Sequence, residues 1–108
     1  FTAAGDIYIS PTYVPDLVQS SLDLLIDDER GIWHLANSGE ITWAKLAEEV
    51  GLRGNCNCGL VQPATAEELG FIAKRPVYSV LNSEKGLLLP SLEDALDRYF
   101  LEQELIVL

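Results

Sequence analysis

Residues 32 to 36, Ile-Trp-His-Leu-Ala, follow a long amphipathic segment and a glycine turn, and this succession narrows the available folds more than any other feature. A short, nearly continuous apolar run suits a strand buried on both faces, as in a parallel sheet. Before it, Val14, Leu17, Val18, Leu22 and Leu25 recur at three- and four-residue spacing and form one broad apolar face. Leu24 and Ile26 widen that face, so this helix is expected to be covered on more than one side. Asp27 to Arg30 read as a solvated turn ending at Gly31.

The flanking residues extend the pattern. Asp6 to Ser10 alternates polar and apolar residues and reads as a short strand, which Pro11 ends by forcing Ser10 into an extended conformation. Thr12 is placed to cap the first helix, with Pro15 tolerated in its first turn and Asp16 favourable against the helix dipole. After the break at Asn37-Ser38-Gly39, a second helix is expected with Trp43, Leu46, Ala47 and Val50 on one face and Lys45, Glu48 and Glu49 outside. Gly51 is its natural stop. Leu60 to Gln62 reads as a short strand, and Thr65-x-x-Glu68 has the form of a capping box. Pro76 to Leu81 is extended. Ser91-x-x-Asp94 opens a last helix with Leu92, Ala95, Leu96, Tyr99 and Phe100 facing inward, before an apolar tail at 105–108. The order βαβα followed by a smaller mixed region is α/β in type, and 108 residues make a single domain at most.

Charge removes several function classes. Seven basic against seventeen acidic residues give a net charge of −10, which argues against nucleic acid and against anionic lipid as partners. No apolar run reaches the roughly 18 residues a membrane span needs, and the start carries no signal-peptide pattern. A cytoplasmic protein is the expectation. The chain lacks methionine altogether, so a cut from a longer chain is expected.

Few residues announce chemistry. There is no G-x-G-x-x-G loop after a strand and no P-loop. None of Tyr8, Tyr13, Tyr78 and Tyr99 has a lysine four residues on; Thr12, Leu17, Asn82 and Gln103 stand there instead. A tyrosine acting as general acid or base needs such a cationic neighbour. Cys56 and Cys58 read as ordinary loop thiols, because a structural zinc site wants four ligands and His34 is the only histidine. His34 itself reads as a hydrogen-bonded core residue, and Trp33 and Trp43 as core rather than stacking platforms.

Four stretches together carry a family resemblance: Ser10–Val18, Gly31–Ala47, Arg75–Pro90 and Leu92–Tyr99. In that order they resemble the C-terminal part of dTDP-4-dehydrorhamnose reductase, within the extended short-chain dehydrogenase/reductase group. The likeness is nearest to a branch in which such a region ends a longer, fused chain. The resemblance implies the C-terminal portion of an NAD(P)-binding Rossmann-like fold, with few short strands and about four helices. It implies a substrate lobe for a dTDP-sugar, whose 4-keto group the full-length family reduces with NADPH, usually with Mg2+. The Gly-rich loop and Tyr-x-x-x-Lys pair would lie in a missing N-terminal cofactor domain, so neither cofactor nor catalysis is expected of this chain alone. The matched positions nearest a ligand are the Pro11-Thr12 turn and the Arg75-Pro76 pair. Arg75 suits a diphosphate or sugar hydroxyls; its alternative is a structural ion pair with a surface carboxylate. One departure is that Ile7 follows Asp6 where the family often has Asp-Gln.

A non-catalytic regulatory or interaction module of the same fold is the alternative. A strand at 32–36 without sheet neighbours would also present open edges, so a homodimer or element swap is expected to cover them.

Overall fold

The structure, a computed structural model, describes residues 2–55, 60–83, 85 and 89–107, with side chains as far as Gln103. Cys56, Cys58 and the side chains of the apolar tail lie outside the described residues. The elements run β1 (Thr2–Ala4), β2 (Tyr8–Ile9), α1 (Val14–Ile26), β3 (Ile41–Thr42), α2 (Trp43–Arg53), β4 (Gln62–Ala64), α3 (Ala66–Leu69) and α4 (Leu92–Val107).

The strands are short and pair in two places. β1 and β4 run parallel, with Ala3 opposite Pro63; a proline fits there because a two-stranded sheet is all edge. β2 pairs antiparallel with β3, Ile9 opposite Ile41. Its other edge is taken by the extended segment at 77–79, where the Tyr8 N–H donates to the Val77 carbonyl (2.8 Å) and the Ser79 N–H to the Tyr8 carbonyl (3.0 Å). The expected strand at Asp6–Ser10 is thus shorter, and the one expected at Leu60–Gln62 begins at Gln62.

The largest difference from expectation is the run Ile32–Ala36, which forms no strand. Ile32 is 80% exposed and His34 is exposed too, so the histidine is not a core residue. A doubly buried strand is held by ladders on both edges, and among the described residues no strand lies beside it. The same lack leaves α1 bare. Val14, Val18, Leu22 and Leu25 are exposed along it, Ile26 reaches 79%, and none of its residues is buried. What is buried is mostly alanine: Ala3, Ala4, Ala44 and Ala95, with Ile7 and Leu89. The Cα radius of gyration is 16.1 Å and the shortest extent 20 Å. A compact chain of this length would have a radius near 13 Å. The molecule is a slab with one thin core.

Caps decide where the helices begin and end. Thr12 does not cap α1: the N-cap is Tyr13, whose N–H donates to the Asn37 Oδ1 at 2.6 Å, while Thr12 donates to the Ser10 carbonyl at 3.4 Å. Thr42 caps α2 by accepting from the Lys45 N–H (3.2 Å). That helix runs through Gly51 to Arg53, because Arg53 is anchored to Glu49 (2.6 Å) and to Asp97 of α4 (2.8 Å). A single glycine costs a helix only about 1 kcal/mol, and this two-sided anchorage opposes that cost. The Thr65–Glu68 capping box forms as expected, and Ser91 caps α4 by accepting from the Asp94 N–H (3.2 Å).

One polar cluster ties the slab together. Asn37, 1% exposed, donates through Nδ2 to Asp16 (2.8 Å) and to the Pro90 carbonyl (3.0 Å) while accepting from Tyr13. Arg98 of α4 grips Asp16 with two bonds of 2.7 Å and Asp94 with one of 2.8 Å. The guanidinium also lies 5.3 Å from the centre of the Tyr13 ring, whose hydroxyl donates to Glu102. That bond, with burial adding less, pushes the Tyr13 hydroxyl up to about 12. Hydrogen bonds from Arg98 hold the Asp16 carboxyl below the usual carboxylate range, outweighing the opposite effect of burial, with Asn37 assisting. The pairs of Lys45 with Glu48 and Glu49 are exposed on the lysine side and contribute at most about 1 kcal/mol each.

Two outcomes are expected. Asn37→Ala leaves the Tyr13 N–H and Pro90 carbonyl without this partner and should cost roughly 2–4 kcal/mol in urea unfolding; a loss under about 1 kcal/mol would show that water replaces the amide. Asp16 titrates lower folded than unfolded, so its contribution is complete above about pH 4 and fades as pH falls through the folded value. Asp16→Asn should therefore be less stable than wild type at neutral pH, with the gap closing below about pH 4. A gap independent of pH would sink this assignment.

Candidate functional site

The extended segment from Arg75 to Ser83 lines two cavities. Arg75, Pro76 and Ser79 face the larger, about 570 Å³, and Tyr78 and residues 80–83 face a smaller one of about 380 Å³. The period of two in an extended chain sends neighbouring side chains to opposite faces, and here it separates Tyr78 from Ser79.

The larger cavity is built from four pieces of the fold. Ala3 and Ala4 of β1, with Ile7 and Ile9 around β2, line one part of it. Trp43, the first residue of α2, contributes a ring that is 49% exposed. Leu69 and Phe71 both reach the cavity because Gly70 between them takes a left-handed φ of 66° and ends α3 in a sharp turn. α3 itself is held by its capping box and by Asp6, whose carboxylate accepts from the Ala66 N–H at 2.9 Å. The acidic residue that precedes Ile7 therefore fixes a wall of the cavity instead of facing a ligand.

Arg75 is the cation of this cavity. Its guanidinium sits 5.6 Å from the centre of the Phe71 ring, a cation–π contact. Among the described residues no carboxylate pairs with it. Pro11 and Thr12 are half-buried and do not line the same cavity; the chain there is occupied with the turn into α1. Of the three residues expected at a ligand, only Arg75 faces this large cavity.

In the smaller cavity the Tyr78 hydroxyl donates to Glu40 at 2.5 Å, and this bond raises the tyrosine above its ordinary value. His34 stands on the same cavity's wall. Neither tryptophan is a core residue. Trp33 is half-buried, donates its indole N–H to the Arg30 carbonyl (3.2 Å) and carries the Lys85 ammonium 4.6 Å from its ring centre. Sequence reasoning missed Trp43 and Phe71 as cavity residues. The capping box followed by Gly70-Phe71 was the available signal, since such a stop projects the next side chain sideways. Among the described residues no group of three or more His, Cys, Asp or Glu could hold a metal ion. No helix among them is long and apolar enough to cross a membrane.

Comparison with known proteins places this geometry. The family model described as the RmlD substrate binding domain matches residues 2–99. The spore coat polysaccharide biosynthesis protein SpsK of Bacillus subtilis (strain 168) is 32% identical over 98 residues, 87% of this chain and 34% of that protein. A probable dTDP-4,6-dihydroxy-2-methyloxan-3-one 4-ketoreductase of Streptomyces antibioticus is 40% identical over 55 residues, 51% of this chain and 19% of that protein. The structure of dTDP-4-dehydrorhamnose reductase from Bacillus anthracis, in complex with NADP, superposes with a TM-score of 0.87 at 33% identity, over 94% of this chain and 38% of that one. An orthologue from Clostridium acetobutylicum also gives 0.87, at 26% identity, over 96% and 39%. The chain thus spans 34% or less of the curated relatives it matches and under two-fifths of these reductases. Its fold matches a portion of their Rossmann-like α/β architecture, and among the described residues it has four helices and few short strands.

Proposed function

Because this chain belongs to the RmlD substrate binding domain family, we propose that it is the sugar-nucleotide lobe of a cytoplasmic dTDP-4-dehydrorhamnose reductase-like protein. A dTDP-sugar seats in the Arg75 cavity, and residues 1–108 act as one lobe. The single observation that carries this reading is Arg75: a guanidinium in a cavity of about 570 Å³, free of any described carboxylate and backed by an aromatic ring. An unpaired guanidinium presents donors in a fork that matches phosphate oxygens. The reaction is reduction of a 4-keto group. Hydride passes to the carbonyl carbon and a proton to its oxygen, and both are supplied from elsewhere in the protein, since this chain has no Tyr-x-x-x-Lys pair. NADPH would be held there as well, and no binding step is assigned to Mg2+.

The bare face of α1 and the unpaired run at 32–36 are where the cofactor domain would pack. Covering each exposed Leu or Ile would contribute about 1.5–3 kcal/mol, far more than the surface ion pairs. Without that cover the isolated chain is expected to form a homodimer through the same face. Sedimentation should find a dimer that Leu25→Lys weakens; a monomer at every concentration would contradict it.

Calorimetric titration with dTDP-rhamnose tests the main reading. Binding should weaken about tenfold or more on Arg75→Ala, the loss of a charge-assisted contact, and NADPH should give no heat. Unchanged affinity in the variant would remove Arg75 from the site. Silence toward the sugar nucleotide in wild type would favour an interaction module of this fold.

A further inference from the structure

We propose that the smaller cavity is a second ligand site, which takes a small alkylammonium ion between the Glu40 carboxylate and the Tyr78 ring. It stands apart from the sugar-nucleotide reading, and neither needs the other. The cavity, about 380 Å³, has the buried Leu89 in its apolar lining, and His34, Ser38 and Asn82 join Glu40 and Tyr78 in its polar lining. Glu40 is its one carboxylate, and no lysine or arginine lines it. Among the described residues no cation pairs with Glu40; its partner is the Tyr78 hydroxyl, which donates its single proton at 2.5 Å. Toward a ligand, both groups are therefore acceptors. An ammonium group supplies three donors and a positive charge, and the face of the tyrosine ring attracts that charge. An anion would meet an uncompensated carboxylate, and a neutral alcohol would gain a hydrogen bond without the charge. The net charge of −10 raises the concentration of cations over the whole surface, and the geometry selects this place on it.

Backbone pairing fixes both contacts before any ligand arrives. Glu40 stands between the Ser38–Ser91 bridge and the β2–β3 ladder, one residue after Gly39 turns with a φ of 116°. Tyr78 lies between the two bonds that tie residues 77 and 79 to Tyr8. Tyr8 adds a second ring, its centre 6.1 Å from that of Tyr78 and its plane tilted by 41°. Ile7 and Ile9 on either side of it face the larger cavity, so the alternation of an extended chain turns Tyr8 to this side. Tyr78 is 61% exposed, and its bond to Glu40 exchanges with water at little net gain in stability. The fold thus holds a carboxylate and an open ring side by side, and a site arranged in advance loses less to ordering when it binds.

The test is amide NMR of the wild-type chain titrated with n-propylammonium chloride at constant ionic strength, with 1-propanol as the neutral analogue. Saturable shifts are expected for the amine at residues 38–40 and 78–83, and none for the alcohol. Glu40→Gln should weaken the amine about tenfold, the loss of a charged contact. Tyr78→Leu should weaken it roughly twofold to fivefold, the share of the ring. Tyr78→Phe keeps the ring and frees the carboxylate, so it should bind at least as well as wild type. Arg75→Ala should leave the affinity for the amine unchanged. Shifts that spread over the acidic surface without saturating, equal shifts from 1-propanol, or unchanged affinity in Glu40→Gln each overturn the proposal. None of these outcomes bears on whether a dTDP-sugar seats at Arg75.

Discussion

The rest of the molecule depends on the side chain of Asn37. It is buried among polar groups from two parts of the chain, Tyr13 and Asp16 at the start of α1 and Pro90 in the loop before α4, and Arg98 of α4 grips the same Asp16. A buried amide that satisfies a backbone N–H, a carbonyl and a carboxylate together has one acceptable position. Moving either part leaves a polar group unpaired at a cost of about 1–3 kcal/mol. The apolar core could not impose such precision, since alanine burial is small and weakly directional. In this slab, polar geometry sets the register that a larger core would set elsewhere.

That arrangement also explains how a thin molecule keeps a cavity. Two short ladders flank it, and each is extended by a non-strand segment: Gly5 donates to the Ala64 carbonyl (2.8 Å) beside β1 and β4, and residues 77–79 complete β2. Asp6 and the capping box hold α3, Gly70 turns the chain, and Phe71 then backs Arg75. The path from the backbone cap at Thr65 to the ring that backs Arg75 is six residues long, ending at Phe71. Local hydrogen bonding thus positions the wall behind Arg75 without a deep core beneath it.

The exposed face of α1 and the unpaired run at 32–36 share one character. The apolar residues of α1 sit at the spacing of a helix meant to be covered, and the run at 32–36 is composed like a strand meant to be paired. α1 buries none of its residues and Ile32 and His34 of the run are exposed, and both segments belong to the portion of the fold shared with reductases more than twice as long.

Patterns confined to a few neighbours were determined by the sequence itself: the three main helices, the capping box at Thr65, the Ser91 start of α4, the extended Pro76–Leu81, and the α/β class. Each is an interaction between residues one to four apart, so spacing alone encodes it. The family likeness was legible for a related reason, since its motifs are contiguous. Only the tertiary structure decided the rest. Tyr13 took the cap from Thr12 because Asn37, distant in sequence, offered a shorter bond. α2 passed Gly51 because Asp97 held Arg53 from another helix. Ile32–Ala36 stayed unpaired because a strand exists only with a neighbour. Trp43 and Phe71 joined Arg75 in one cavity because β-pairing and a glycine turn brought three separate segments together. Such long-range pairings carry no local period, and only the folded chain brings their partners within reach.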